Sequence, residues 1–169
     1  MEVILYEKGF TLTEMIIVLA IISIIAAVTT LNFVRLGKSS RVNSYADEIA
    51  AMLKETYENA SKEMDYENWY IEIKKIEDKF YVELKGNNAQ KEVELVDTDI
   101  ILKNDNSTLT LQNSVSIIFS SNGNIIVKYD DGTKLENENL YIEMFERNNP
   151  SIKKVIEINS LPPGNIKVK

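Results

Sequence analysis

From Met15 to Leu31 the chain reads MIIVLAIISIIAAVTTL, and none of these 17 residues carries a charge. As a helix the run covers roughly 25 Å, and extending it back to Phe10 gives about 33 Å, enough to cross the hydrocarbon core of a bilayer. Ser23, Thr29 and Thr30 are tolerable inside it, because a helical hydroxyl can bond back to its own backbone. Glu14 stands just inside the amino-terminal end and is the one costly residue. Three readings compete: a cleaved secretory signal, a plain membrane anchor, and a helix that lives first in the membrane and then in a protein assembly. A secretory signal should exit through a small-x-small site. Around Ala26, Ala27 and Val28 no clean A-x-A occurs, and the run flows directly into an amphipathic pattern.

The residues before the run separate the other two readings. Positions 8 to 14 read Lys8-Gly9-Phe10-Thr11-Leu12-Thr13-Glu14, and Ser23-Ile24-Ile25-Ala26-Ala27 lies further along the apolar run. This stretch, from residue 8 to about 35, resembles the class III signal of type IV pilins and pseudopilins. The resemblance implies a leader, residues 1–9, cut between Gly9 and Phe10 by a membrane aspartic peptidase. It also implies N-methylation of Phe10 and an assembly role for Glu14, the fifth residue of the mature chain. Physics agrees with that role. A lone carboxylate in hydrocarbon is expensive unless paired or protonated. In a helical array of such chains, the free amine at Phe10 of one subunit could pair with Glu14 of a neighbour and select register. Before assembly, Glu14 at the headgroup level would suit the helix dipole. Two departures stand out. The leader sets a single Lys8 against Glu2 and Glu7, and Leu31 occupies the region where many pilins carry a proline. Arg35, Lys38 and Arg41 follow the span, but long domains translocate largely regardless of such charges.

Beyond residue 36 the periodicity changes. Val42, Tyr45, Ala46, Ile49, Leu53, Tyr57, Ala60 and Met64 recur every three or four residues, which predicts an amphipathic helix over 37–65. Gly37 and Ser39-Ser40 mark an expected flexible joint between the halves 10–36 and 37–65. From residue 66 to 169 the period is two. Trp69, Ile71 and Ile73 alternate with polar residues, as do Phe80, Val82 and Leu84. Strands are also expected at 92–96, 107–111, 115–119, 124–129, 139–145, 154–158 and 165–168. Turns are expected at Gly86-Asn87-Asn88, Asn122-Gly123, Asp131-Gly132 and Pro162-Pro163-Gly164. The fold class is therefore α+β: a long amino-terminal helix packed on an antiparallel domain of two sheets. The run Val115 to Phe119 followed by Ser120-Ser121-Asn122-Gly123, and the closing Gly164-Asn165-Ile166-Lys167-Val168, resemble the GspH/FimT family of minor pseudopilins and minor pilins.

Composition narrows the chemistry. The chain has no Cys and no His, so thiolate chemistry and the commonest general base and metal ligand are absent. A formal net charge of −7 argues against broad, non-specific nucleic-acid binding. No phosphate-binding or dinucleotide turn occurs. The pairs Asp97/Asp99 and Asp130/Asp131 read as solvated turns, and the loop Tyr129 to Thr133 with Glu136 lacks the spacing of an EF-hand. The expectation is a non-enzymatic subunit with no catalytic residue, metal or cofactor. Its partners would be other pilin or pseudopilin subunits, prepilin peptidase, an inner-membrane assembly platform and the membrane itself. It would sit in the cytoplasmic membrane as a single-pass protein with its carboxyl domain outside, then in an extracytoplasmic filament. DNA is a weaker candidate partner. Arg147, Lys153, Lys154, Lys167 and Lys169 outnumber Glu157 in the tail, and some members of the FimT branch are DNA receptors through a short basic motif after a terminal Gly, which Gly164 to Lys169 resembles with Lys where Arg is usual. Lys167 and Lys169 would share a strand face. The blander reading is an edge strand protected by lysine. A third reading is a membrane-anchored domain with no assembly role, against which Gly9, Phe10 and Glu14 speak.

Overall fold

The computed structural model describes residues 11–87, 89–111, 113–160 and 164–169, apart from the side chain of Leu31. It has one helix, α1 (Leu12–Glu63), and the chain divides into two compact units at Gly37/Lys38. The stretch expected to be a flexible joint, Gly37 with Ser39-Ser40, is helical. Local glycine and serine propensity is a weak term, and nothing there removes a backbone hydrogen bond as proline would.

Within the second unit, Lys38 to Glu63 of α1 buries Val42, Ala46, Ile49, Met52, Leu53, Thr56 and Ala60. The predicted stripe therefore holds over most of its length. Met64 is the exception, being 87% exposed. It adopts φ 53°, and the Asp65 amide donates to the Ala60 carbonyl at 3.0 Å. That six-to-one bond is a Schellman closure, which turns Met64 out of the helical stripe.

The rest of this unit is two antiparallel sheets, as the sequence predicts. The first contains β1 (Tyr70–Ile76), β2 (Lys79–Lys85), β3 (Gln90–Leu95), β6 (Ser114–Phe119), β7 (Ile125–Tyr129) and β8 (Lys134–Asn137), in the order β3-β2-β1-β6-β7-β8. The second contains β4 (Thr98–Asn104), β5 (Thr108–Leu109), β9 (Asn139–Glu146), β10 (Asn149–Asn159) and β11 (Asn165–Val168), in the order β11-β10-β9-β4-β5. Register places apolar side chains opposite one another. Ile73 faces Val82 and Val115 across its two neighbours, and Leu102 faces Ile142. These inner faces and the buried residues of α1 form one hydrophobic cluster. Sequence periodicity missed β4 and β8. The first alternates correctly, with Thr98, Ile100 and Leu102 buried, but no turn residue announces it. The chain changes sheets there through Val96-Asp97, with Asp97 at φ 53°.

The outer face of the first sheet holds a second surprise. Glu83 alternates outward, yet it is only 4% exposed. Lys74 Nζ reaches its Oε2 at 2.7 Å, Gln90 Nε2 reaches its Oε1 at 2.6 Å, and Lys85 bonds the neighbouring Glu72 at 2.6 Å. Burial acts to raise the Glu83 pKa, but the bonds from Lys74 and Gln90 outweigh it and hold the carboxyl below its ordinary 4.5. Lys85 is raised, first by its bond to Glu72. A depressed carboxyl contributes stability above its unfolded pKa and loses it as pH falls through the folded value. Glu83→Gln should therefore flatten the acid limb of the stability curve between about pH 5 and about pH 3. Urea midpoints across that window would check it.

Candidate functional site at the amino-terminal helix

The first described residue, Thr11, starts the helix. Its carbonyl accepts from the Met15 amide at 3.2 Å. Its hydroxyl accepts from the Glu14 amide at 3.3 Å, while Glu14 Oε2 accepts from the Thr11 amide at 2.8 Å and from the Thr11 hydroxyl at 2.9 Å. Thr11 is the N-cap and Glu14 the third helical residue, so the two form a capping box. The spacing Thr11-x-x-Glu14 is the sequence signature of such a box, and it gives Glu14 a second role beside the one expected of it in assembly. The consequence is geometric: one carboxylate oxygen is anchored at the helix start, and among the described residues no donor reaches the other, Oε1.

From there to Gly37 the first unit presents apolar surface outward. Ile17, Leu19, Ile21, Ile24, Ile25 and Val28 are all more than 45% exposed. The three polar residues inside the run are satisfied as expected. Ser23 Oγ donates to the Leu19 carbonyl at 2.7 Å, Thr29 Oγ1 to Ile25 at 2.9 Å and Thr30 Oγ1 to Ala26 at 2.8 Å. No residue in the membrane-length window of this helix is buried against the chain itself. Such a surface is stable only in lipid or against other protein. The expected processing residues Gly9 and Phe10, with Lys8, lie outside the described residues.

The other candidates are dispersed. Asp97 pairs with Arg41 at 3.0 Å and Asp99 with Arg147 at 2.8 Å. Asp130 accepts from the Ser114 amide at 2.9 Å. Asp131 caps the Thr133 amide at 2.8 Å, which lowers its carboxyl pKa. Glu136 accepts instead from Asn124 at 2.7 Å. Among the described residues no cluster of three or more acidic side chains could hold a metal ion.

In the tail, β11 is the edge of its sheet. Lys167 is exposed and faces Glu157 across the ladder. The Lys169 ammonium pairs with the Glu157 carboxylate, whose pKa is lowered first by that bond. Two of the five tail cations, Arg147 and Lys169, are thus already engaged.

Residues 5–30 match the family described as the prokaryotic N-terminal methylation motif. No curated protein and no solved structure matches the chain. The motif, carried on an outward-facing apolar helix of membrane length, supports a type IV pilin-like protein that is membrane-anchored, is cut by prepilin peptidase and assembles with other pilins. It points to a structural subunit, not an enzyme.

Proposed function

We propose that this chain is a minor pilin or pseudopilin of the GspH/FimT kind. It is inserted in the cytoplasmic membrane with its carboxyl domain outside, cut between Gly9 and Phe10, and built into a type IV pilus or a type II secretion pseudopilus. The observation that carries the reading is the coincidence of the methylation motif with an apolar helix that its own chain leaves uncovered. The GspH/FimT assignment draws on the strand Ser114–Phe119 leading into the Gly123 turn, and on the closing strand after Gly164. The carboxyl domain then supplies the surface of the filament, and the apolar half of α1, from Leu12 to Leu36, supplies its bundle. Glu14 acts twice. In the membrane it caps its own helix through Thr11. During assembly its other oxygen, which no described residue engages, takes the Phe10 amine of a neighbour. The capping bonds orient the carboxylate for that step and lower the cost of ordering it.

Glu14→Ala should leave cleavage intact and lower the subunit's recovery in sheared filaments about tenfold or more by immunoblot, since it would leave a neighbour's Phe10 amine buried without its partner, a larger loss than that of the exposed cap. Glu14→Gln keeps much of the cap but no charge, and should fail likewise. Normal recovery of either variant would sink the pairing role. An intact mass that retains residues 1–9 in a host with its peptidase would sink the reading as a whole. DNA capture through Lys167 and Lys169 has less support, because Lys169 is engaged by Glu157 and the exposed Lys167 suits an edge strand guarded against pairing.

A further inference from the structure

A cleft of about 650 Å³ opens beside the start of β1, the end of β2 and the start of β3, and it is lined by Asn68, Tyr70, Lys85, Asn87 and Gln90 among others. That volume is ordinary for a small-ligand site. A smaller hollow of about 130 Å³ also has Tyr70 in its lining, with Glu67, Ser116, Ile118 and Lys128. Tyr70 lines both hollows, and the larger of them is a groove that side-chain amides surround.

Three amides around the large cleft share one arrangement. Asn68 Nδ2 donates to Asp65 at 2.8 Å, Asn87 Nδ2 to Glu63 at 2.9 Å, and Gln90 Nε2 to Glu83 at 2.6 Å. Each carboxylate holds the amino end of an amide and so fixes its orientation. Among the described residues no donor reaches Asn68 Oδ1, Asn87 Oδ1 or Gln90 Oε1. The cleft thus offers three oriented acceptors. Lys85 is already bonded to Glu72 at 2.6 Å, while Glu63 and Asp65 keep their negative charge and are held in place by neutral donors, Trp69 Nε1 to Glu63 at 2.7 Å among them. An anion therefore finds no free cation in Lys85 and meets the charges of Glu63 and Asp65 nearby, so the larger cleft suits a ligand that brings hydroxyl donors rather than negative charge. The Tyr70 ring is steadied by the Lys85 ammonium, 5.8 Å from its centroid. A fixed aromatic face beside acceptors suits a ligand with an apolar ring face and hydroxyl donors around its rim.

We propose that this groove binds a neutral oligosaccharide of two or three units, with Tyr70 as the stacking surface and the oxygens of Asn68, Asn87 and Gln90 accepting from sugar hydroxyls. The inference does not depend on filament assembly. The chain carries its own reporter: Trp69 is the sole tryptophan, is 4% exposed, and lies so close under Gly86 that an added Cβ there would come within 2.3 Å of its ring.

The full chain in lauryldimethylamine oxide, a detergent without sugar, would be titrated separately with chitotriose, cellotriose and maltotriose while Trp69 fluorescence is followed. At least one should give a saturable change at millimolar concentration. Tyr70→Ala should weaken it about tenfold, while Tyr70→Phe, which keeps the ring, should stay within about twofold of the parent. Preference for chitotriose would indicate N-acetylated cell-wall glycan as the source, and preference for the other two an external polysaccharide. No saturable change with any of the three sugars overturns the proposal, as does undiminished binding by a folded Tyr70→Ala. Should Tyr70→Ala fail to fold, Gln90→Ala at an exposed position takes its place, and binding unchanged from the parent then overturns the proposal too.

Discussion

Replacing Phe119 with alanine is expected to destabilise the carboxyl unit by about 4 kcal/mol and to lower its melting temperature by roughly 15 °C. Phe119 ends β6, is fully buried, and is the largest such side chain in the core. Its ring meets Tyr57 of α1 edge-on, with centroids 5.4 Å apart and an interplanar angle of 73°. Tyr57 in turn fills the space beside Gly164, where an added Cβ would lie 2.3 Å from the ring, and Gly164 itself holds φ +72°. One aromatic residue therefore ties the helix, the first sheet and the chain's final turn. Truncation removes the transfer energy of the ring, leaves a cavity and frees Tyr57. Relaxation around the void is limited, because Ile125 pairs across the ladder and is itself fully buried. Calorimetry of the parent and Phe119→Ala would measure the loss. A change below about 1 kcal/mol would mean that the core collapses onto the site or that this contact is not formed.

The second large effect belongs to a buried charge. Glu146 ends β9 at 2% exposure. Lys38, in the first helical turn of the carboxyl unit, reaches its Oε1 at 2.7 Å, while Oε2 is buried without a hydrogen-bond partner. Residues before Val42 contribute little buried apolar surface, so this ion pair and the more exposed Arg41–Asp97 pair do the holding at that end of the segment. Lys38→Met would leave an uncompensated carboxylate in the interior. The cost in fully buried pairs is about 3–5 kcal/mol. Lys38 is 31% exposed, so solvent screening brings the expected loss to about 2 kcal/mol. Adding Glu146→Gln to Lys38→Met should recover at least half of it, since a neutral amide is cheaper to bury unpaired. Additive losses in that double-mutant cycle would show that the pair is not coupled.

Sequence periodicity located nine of these strands and the helix because each of their signals is local. A period of two or of three to four decides which face is apolar, and turns such as Asn122-Gly123 place φ 89° where only glycine sits without strain. Periodicity failed where long-range structure overrides it. Glu83 follows the solvent-facing alternation, but lysine and glutamine from adjacent strands cover it. Met64 follows the helical stripe, but the Schellman closure ends the helix one residue earlier. Glu77 at φ 53° makes the β1–β2 turn without the glycine or asparagine that would have advertised it.

The processing signal and the apolar run are contiguous in the chain, so the residues alone determined the membrane-length helix, the candidate cut at Gly9-Phe10 and the carboxylate at Glu14. A peptidase and a bilayer both read local sequence, and no folding is needed to present it. The groove around Tyr70, the latch between Lys38 and Glu146, and the engagement of Lys169 by Glu157 are different in kind. Their parts lie up to 108 residues apart. Only the strand order and register bring them together, because hydrogen-bond ladders and a shared core, not neighbouring sequence, set which distant side chains meet.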